Sequence, residues 1–263
     1  MGLTPAQDHI AKLVLAMGDL DLHLAGGAAL IVHEITDRKT KDLDTFLSET
    51  RDTHAVAENI RALLASQGME VKDVSHTPHD TLRKFAVTLP NGDTVSLDIG
   101  RDLRLLPGEV TRVGMALSRV ELGANKLVSL YGDPSRARDV DDIARALTHF
   151  SMEELLEVAD RKESAPLDRE MLAYALYQAS QLKDDEYPEG VDVASVKKFA
   201  VAAALHFRDG TPLPTSPYAP TNSVADVGYH VVSTSTGSGR CGAPRKRGGA
   251  CQRRVALKGC PYH

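Results

Sequence analysis

Residues 25–47, AGGAALIVHEITDRKTKDLDTFL, limit what this chain can fold into more than any other stretch. "DLHLAGG" reads as a short buried strand ending in a glycine turn, "AALIVHEI" as a helix packed under it, and "DLDTFL" as a second strand. Strand side chains alternate faces, so Asp42 and Asp44 point to one side and Leu43 to the other. Two carboxylates roughly 7 Å apart on one face repel each other unless a cation lies between them. Mg²⁺ prefers such oxygen ligands, keeps some of its waters and bridges to phosphate oxygens. Gly26 and Gly27, at the turn from strand to helix, let a phosphate approach backbone N–H groups with no Cβ in the way. The helix dipole behind them favours the same anion. A phosphate cradle and a metal-binding carboxylate pair on adjacent strands point to a nucleoside triphosphate. Read alone, both features have a plainer account: diglycine is frequent in loops, and Asp-x-Asp arises by chance in an acidic chain.

Further positions extend the pattern. "RKFAVTL", "PNGD" and "TVSLDIG" predict a hairpin with Asn91-Gly92 at its turn. Val95, Leu97 and Ile99 then share one face and Ser96 and Asp98 the other, which offers Asp98 as a third carboxylate beside the pair. Two metal ions held by three acids would activate an attacking hydroxyl and neutralise a leaving pyrophosphate. Lys126 lies among apolar and small residues in "ANKLVSL". Such a lysine either snorkels to water or reaches a triphosphate as a point charge. In "RARDVDDI", Asp139 and Asp142 share a helical face, with a surface ion pair between Asp139 and Arg138 as the plainer alternative.

At 263 residues, 42% of them apolar and none of them Trp, the chain suits one large domain or two modest ones built on Leu, Val, Ala and Ile. No apolar run reaches the ~18 residues of a membrane span, and no basic, greasy leader opens the chain, so a cytoplasmic protein is expected. Thr4-Pro5 starts a first helix running to about Met17, and "THAVAENIRALLASQG" is an amphipathic helix stopped by Gly68. From residue 119 the pattern is helical through five segments ending near "VASVKKFAVAAALHF", with Ser151 and Glu154 forming a capping box. The expected fold is α/β, in the α+β sense: a mixed-sheet core over 1–118 and a helical domain over 119–208 that completes the site. A Pro/Ser/Thr/Gly-rich linker over 209–239 and a small module over 240–263 follow.

The net charge of −5 hides an asymmetry. Seven of the 31 basic residues (Arg240, Arg245, Lys246, Arg247, Arg253, Arg254 and Lys258) and none of the 36 acidic ones lie in 240–263, leaving a body of net −12. A basic tail on an acidic body suits a polyanion, unless it is simply a solvated end. The chain's three cysteines, Cys241, Cys251 and Cys260, all lie in this tail, and His263 ends it. Three thiolates and one imidazole make a complete tetrahedral shell for structural Zn²⁺, with a reduced, unmetallated tail as the alternative.

The ordered set "AGGAALIVHEITDRKTKDLDTFL", "VSLDIG" and "ANKLVSLYGDPSRARDVDDI" resembles the AbiEii/AbiGii toxin family of nucleotidyltransferases, within the DNA polymerase β-like superfamily. The resemblance covers about residues 20–147. It implies that Asp42 and Asp44 bind Mg²⁺, that Gly26 and Gly27 hold the triphosphate, that Lys126 contacts phosphate, and that Asp139 or Asp142 completes the site. Arg38 and Thr40 match the family's basic and hydroxyl positions before the aspartates. The chain departs from the family pattern in four ways: no lysine stands close to Asp98 in sequence, the spacer from the glycines to the aspartates is slightly long, Phe46 falls one place late, and the Cys/His tail has no counterpart.

The expected activity is therefore transfer of an NMP from an NTP to an acceptor, an RNA end such as that of tRNA, by a toxin with a cognate antitoxin. Protein or small-molecule acceptors, or a non-catalytic nucleic-acid-binding regulator on the same scaffold, are the alternatives. A G-x-S-x-G elbow and a P-loop are both absent, so the corresponding hydrolase and NTPase classes find no support.

Overall fold

The computed structural model describes residues 2–76 and 81–220. The tail carrying Cys241, Cys251, Cys260 and His263 lies outside the described residues, so the expected zinc module has no structural counterpart to compare. Helix α1 (Pro5–Leu15) opens on a capping box. Gln7 N donates to Thr4 Oγ1 at 3.2 Å, and Thr4 N donates to Gln7 Oε1 at 3.0 Å. Strand β1 (His23–Ala25), helix α2 (Gly26–Val32) and strand β2 (Asp42–Ser48) follow in the expected order. Helix α2 begins on the diglycine itself, and it stops early because the chain turns at Glu34, a residue with φ of +61°.

After α3 (Thr53–Ser66) come β3 (Glu70–His76), the hairpin β4 (Leu82–Thr88) and β5 (Thr94–Asp102), and the short strands β6 (Glu109–Thr111) and β7 (Gly114–Ala116). The seven strands form one mixed sheet in the order β3-β4-β5-β2-β1-β7-β6. Strand β2 runs parallel to β5 and antiparallel to β1, which sets Asp44 opposite Asp98 on one side and Ala25 on the other. Sequence patterning missed β3, β6 and β7. The first is a polar edge strand whose register shifts between Asp73 and Ser75, and the other two have three residues each, too few to show alternation.

Five helices complete the described chain: α4 (Arg119–Gly132), α5 (Ala137–Ala146), α6 (Met152–Lys162), α7 (Arg169–Ser180) and α8 (Val193–Asp209). Ser151 and Glu154 form the expected capping box at α6. Two hydrophobic cores result. One packs α1, α2 and α3 against the sheet, with Ile10, Leu24, Leu43, Ile60, Phe85 and Leu97 fully buried. The other fills the space among α4 to α8 around Leu127, Val140, Ile143, Leu155, Leu172 and Val196. Helix α4 changes allegiance along its length: Leu122 belongs to the first core, Ala124 and Leu127 to the second. Lys126 therefore stands at the seam. Residues 211–220, which composition assigns to the start of a linker, lie against α5. Ser216 donates to Ala144 O at 2.5 Å and the ring of Tyr218 lies 4.0 Å from the Arg145 guanidinium.

Candidate active site

The diglycine turn is built around Asp44. Gly26 adopts φ of +57°, and a Cβ there would collide with the Asp44 carboxylate. A Cβ on Gly27 would stand 3.0 Å from Thr40 Oγ1 and 3.1 Å from an Arg38 guanidinium nitrogen. The two glycines thus let the start of α2 close onto three expected site residues at once; a side chain at Gly26 would prevent this, and one at Gly27 would crowd Thr40 and Arg38. Strand alternation puts Asp42 and Asp44 on the same face, while Leu43 and Leu47 are buried on the other.

These groups line one cleft of about 100 Å³. Gly26, Gly27, Arg38, Thr40, Asp42 and Asp44 form one wall. The opposite wall comes from α4, through Asn125, Lys126 and Ser129, and from the start of α5, through Arg136 and Arg138. Burial pushes the Asp44 carboxyl above the usual carboxylate range. Asp98 and Asp42 push in the same direction, and Lys126 and Arg138 only partly offset them.

Three expected residues stand behind the cleft, outside its lining. Asp98 is buried opposite Asp44, and its carboxylate is bonded by Lys84 from β4. Asp139 and Asp142 are fully buried and hold the cations of the cleft wall. Lys126 Nζ lies 2.9 Å from Asp139 Oδ1 and 2.9 Å from Asp142 Oδ2. Arg38 grips Asp142 with a fork, Nε to Oδ1 at 2.9 Å and Nη2 to Oδ2 at 2.7 Å. Burial alone would raise the Asp142 pKa, but Lys126 and Arg38 outweigh it and hold the carboxyl below its usual range. Lys126 and Arg38 are raised in turn: burial opposes their charge, and the aspartates overcome it. The surface ion pair of Asp139 with Arg138 does not form. Asp139 bonds Arg136 and Lys126, while Arg138 is exposed at the cleft and makes no ion pair among the described residues.

The donor chemistry suits a divalent cation of the Mg²⁺ type. Asp42 and Asp44 offer two carboxylates with too little positive charge beside them, the usual protein share of a site whose remaining ligands are waters and phosphate oxygens. Among the described residues, no group of three or more His, Cys, Asp or Glu is arranged to hold a metal by itself. That agrees with the bond between Asp98 and Lys84. Sequence reading missed Lys84, Asn125, Ser129, Arg136 and Arg138. A signal for Lys84 existed: counting back along the hairpin from Asn91-Gly92 puts it opposite Asp98, as the register bears out. The others carried none beyond their place on the same helices.

The profile of the family described as "Nucleotidyl transferase AbiEii toxin, Type IV TA system" matches residues 11–189. No curated protein matches. Among solved structures, the chain is similar to MenT4, a nucleotidyltransferase toxin from Mycobacterium tuberculosis H37Rv. The identity is 20% and the TM-score 0.52, over 77% of this chain and 81% of that one. It is also similar to JHP933 from Helicobacter pylori, at 14% identity and a TM-score of 0.49, over 80% of this chain and 94% of that one. Among the described residues, no helix is long and apolar enough to cross a membrane.

Proposed function

This chain belongs to the AbiEii nucleotidyltransferase toxin family, and on that premise we propose that it moves an NMP from an NTP to an RNA end in a Mg²⁺-dependent reaction. The observation that carries the reading is the unneutralised Asp42–Asp44 pair set against the diglycine turn and faced by the cations of α4 and α5. Asp42 and Asp44 would hold Mg²⁺, which would supply Lewis-acid polarisation of the α-phosphate and charge neutralisation for the leaving pyrophosphate. Gly26 and Gly27 offer backbone N–H groups to the triphosphate. Lys126, Arg38 and Arg138 meet its oxygens as fixed positive charges. Asp139 and Asp142 act as positioning residues, since they touch Lys126 and Arg38 and not the cleft. Asp98 raises the charge density at Asp44 from behind.

The acceptor hydroxyl oxygen forms a bond to the α-phosphorus and its proton passes to solvent, while the bond from that phosphorus to the bridging oxygen breaks and pyrophosphate departs. The basic residues of 240–263 favour an RNA acceptor, because phosphate contacts by Arg and Lys give sequence-tolerant affinity. Zn²⁺ held by Cys241, Cys251, Cys260 and His263 would give that tail its shape. A cognate antitoxin and a cytoplasmic site of action complete the assignment.

The test is incorporation of labelled NMP by the full chain with Mg²⁺, first into tRNA and then into whole-cell lysate. Label sensitive to RNase, and absent with Asp44→Ala, is the expected result. Label that resists RNase but yields to protease would replace the RNA acceptor with a protein one, and an active Asp44→Ala variant would remove the site.

A further inference from the structure

Helices α7 and α8 run antiparallel. Tyr187 donates its hydroxyl to Ala179 O at 2.8 Å, near the end of α7, and its ring lies 5.5 Å from Lys197 Nζ near the start of α8. Their inner faces fill the second core through Leu172, Leu176, Val196 and Phe199. Their outer faces leave a groove of about 400 Å³ that shares no residue with the cleft. From α7 it is lined by Glu170, Ala173, Tyr174 and Tyr177, and from α8 by Val201, Ala204, Leu205 and Arg208. Both stripes follow the i, i+3, i+4, i+7 spacing with which a helix meets another helix. Three of the five exposed large apolar side chains among the described residues lie on α7: Met171 at 52%, Tyr174 at 53% and Tyr177 at 48% exposure. Scattered apolar residues on a surface are ordinary, but a contiguous patch of this kind marks a contact.

The patch matches itself. It carries a ridge, Tyr174 and Tyr177, beside a hole floored by the small buried residues Ala173 and Ala204. It also carries both signs of charge at one end, because the antiparallel pairing places Glu170, at the start of α7, with Arg208, at the end of α8. Under a twofold axis parallel to the helices, the tyrosines of one copy enter the hole of the other, and Glu170 meets Arg208 of the second copy. The bond of Arg208 to Asp209, at 2.7 Å, is an exposed pair of small energetic weight and exchanges readily. The acids at this end weigh against a nucleic acid as occupant.

We propose that the outer face of α7 and α8 is a homodimer interface that closes a four-helix arrangement with a second copy of this chain. The test is sedimentation equilibrium of the full chain from about 1 to about 100 μM, a span that covers the affinity of ordinary reversible dimers. A wild-type dimer, and a monomer for Tyr174→Glu/Tyr177→Glu, are expected. Glu170→Arg and Arg208→Glu should each weaken association about tenfold, since the twofold repeats each repulsion, and the double variant E170R/R208E should recover it. These side chains are exposed, and an unchanged far-UV circular dichroism spectrum with a cooperative melt, its Tm lowered only by the lost association, would show that loss of the dimer is not loss of the fold. A wild-type monomer throughout the range overturns the proposal. So does a dimer indifferent to the tyrosines, or a charge-reversed double variant no better than the singles.

Discussion

On β2, Asp42 and Asp44 face the cleft, and burial with Asp98 alongside pushes the Asp44 carboxyl above its usual range. On α5, Asp139 and Asp142 are fully buried, and each of their four oxygens meets a cationic donor from Lys126, Arg38 or Arg136. Strand β2 leaves Asp44 under-compensated, whereas helix α5 has its Asp139 and Asp142 carboxylates fully paired with cations. A group that the fold has already satisfied gains little from a ligand. A group that the fold has left in need of positive charge gains much, which supports the proposal that Asp139 and Asp142 are scaffold and that an external cation would bind at Asp42 and Asp44.

Removing one acid from each region should show the largest contrast. Asp142→Ala strips Arg38 of its fork and leaves Lys126 buried with one partner fewer. Breaking a buried pair in this way costs about 3–5 kcal/mol. For a body of this size that is a fall in Tm of roughly 6–20 °C by calorimetry. Asp44→Ala should leave Tm unchanged or higher and still lower nucleotide transfer on the order of 10³-fold, the scale of losing a principal electrostatic group. Equal losses of stability in the two variants would break the distinction.

Divalent metal should sharpen it. A ligand that binds only the folded state adds about 2.7 kcal/mol at one hundred times its Kd. Saturating Mg²⁺ with a non-hydrolysable NTP analogue should therefore raise the wild-type Tm by roughly 5–10 °C. The same addition should do nothing for Asp42→Asn/Asp44→Asn. A shift that survives in that variant would place the cation elsewhere.

The difference between the regions also explains what the sequence could convey. Asp-Leu-Asp on one strand face, the hairpin at Asn91-Gly92 and the caps at Thr4 and Ser151 are local patterns, and the structure holds all of them. The diglycine was legible as a turn, yet its main steric reason, making room for Asp44, depends on pairing between β1 and β2. The partners of Asp142 were not legible, because Arg38 lies 104 residues away and the choice among Lys126, Arg136 and Arg138 depends on how α5 rotates against α4. The missing lysine beside Asp98 was a gap only along the chain: Lys84 supplies the charge from across the sheet.

The smallest expected effect is in the pH dependence of stability without metal, where the two regions should act with opposite sign. The folded-state pKa of Asp44 is raised above the unfolded value of about 3.9. Its contribution is fully present below that value and is lost as pH rises through the folded pKa, because the cleft then has to hold the anion. The folded-state pKa of Asp142 is depressed, so its contribution is present above about 3.9 and is lost as pH falls through the folded value. Wild type should therefore lose ground to Asp44→Asn as pH climbs above about 4, in melts recorded with EDTA. Saturating Mg²⁺ should cancel that trend, since the bound cation stabilises the same carboxylate that the empty cleft disfavours. If the two melting curves stay parallel from pH 4 to pH 8 in EDTA, Asp44 titrates as an ordinary surface acid, and it is no less compensated than Asp139 and Asp142 of α5.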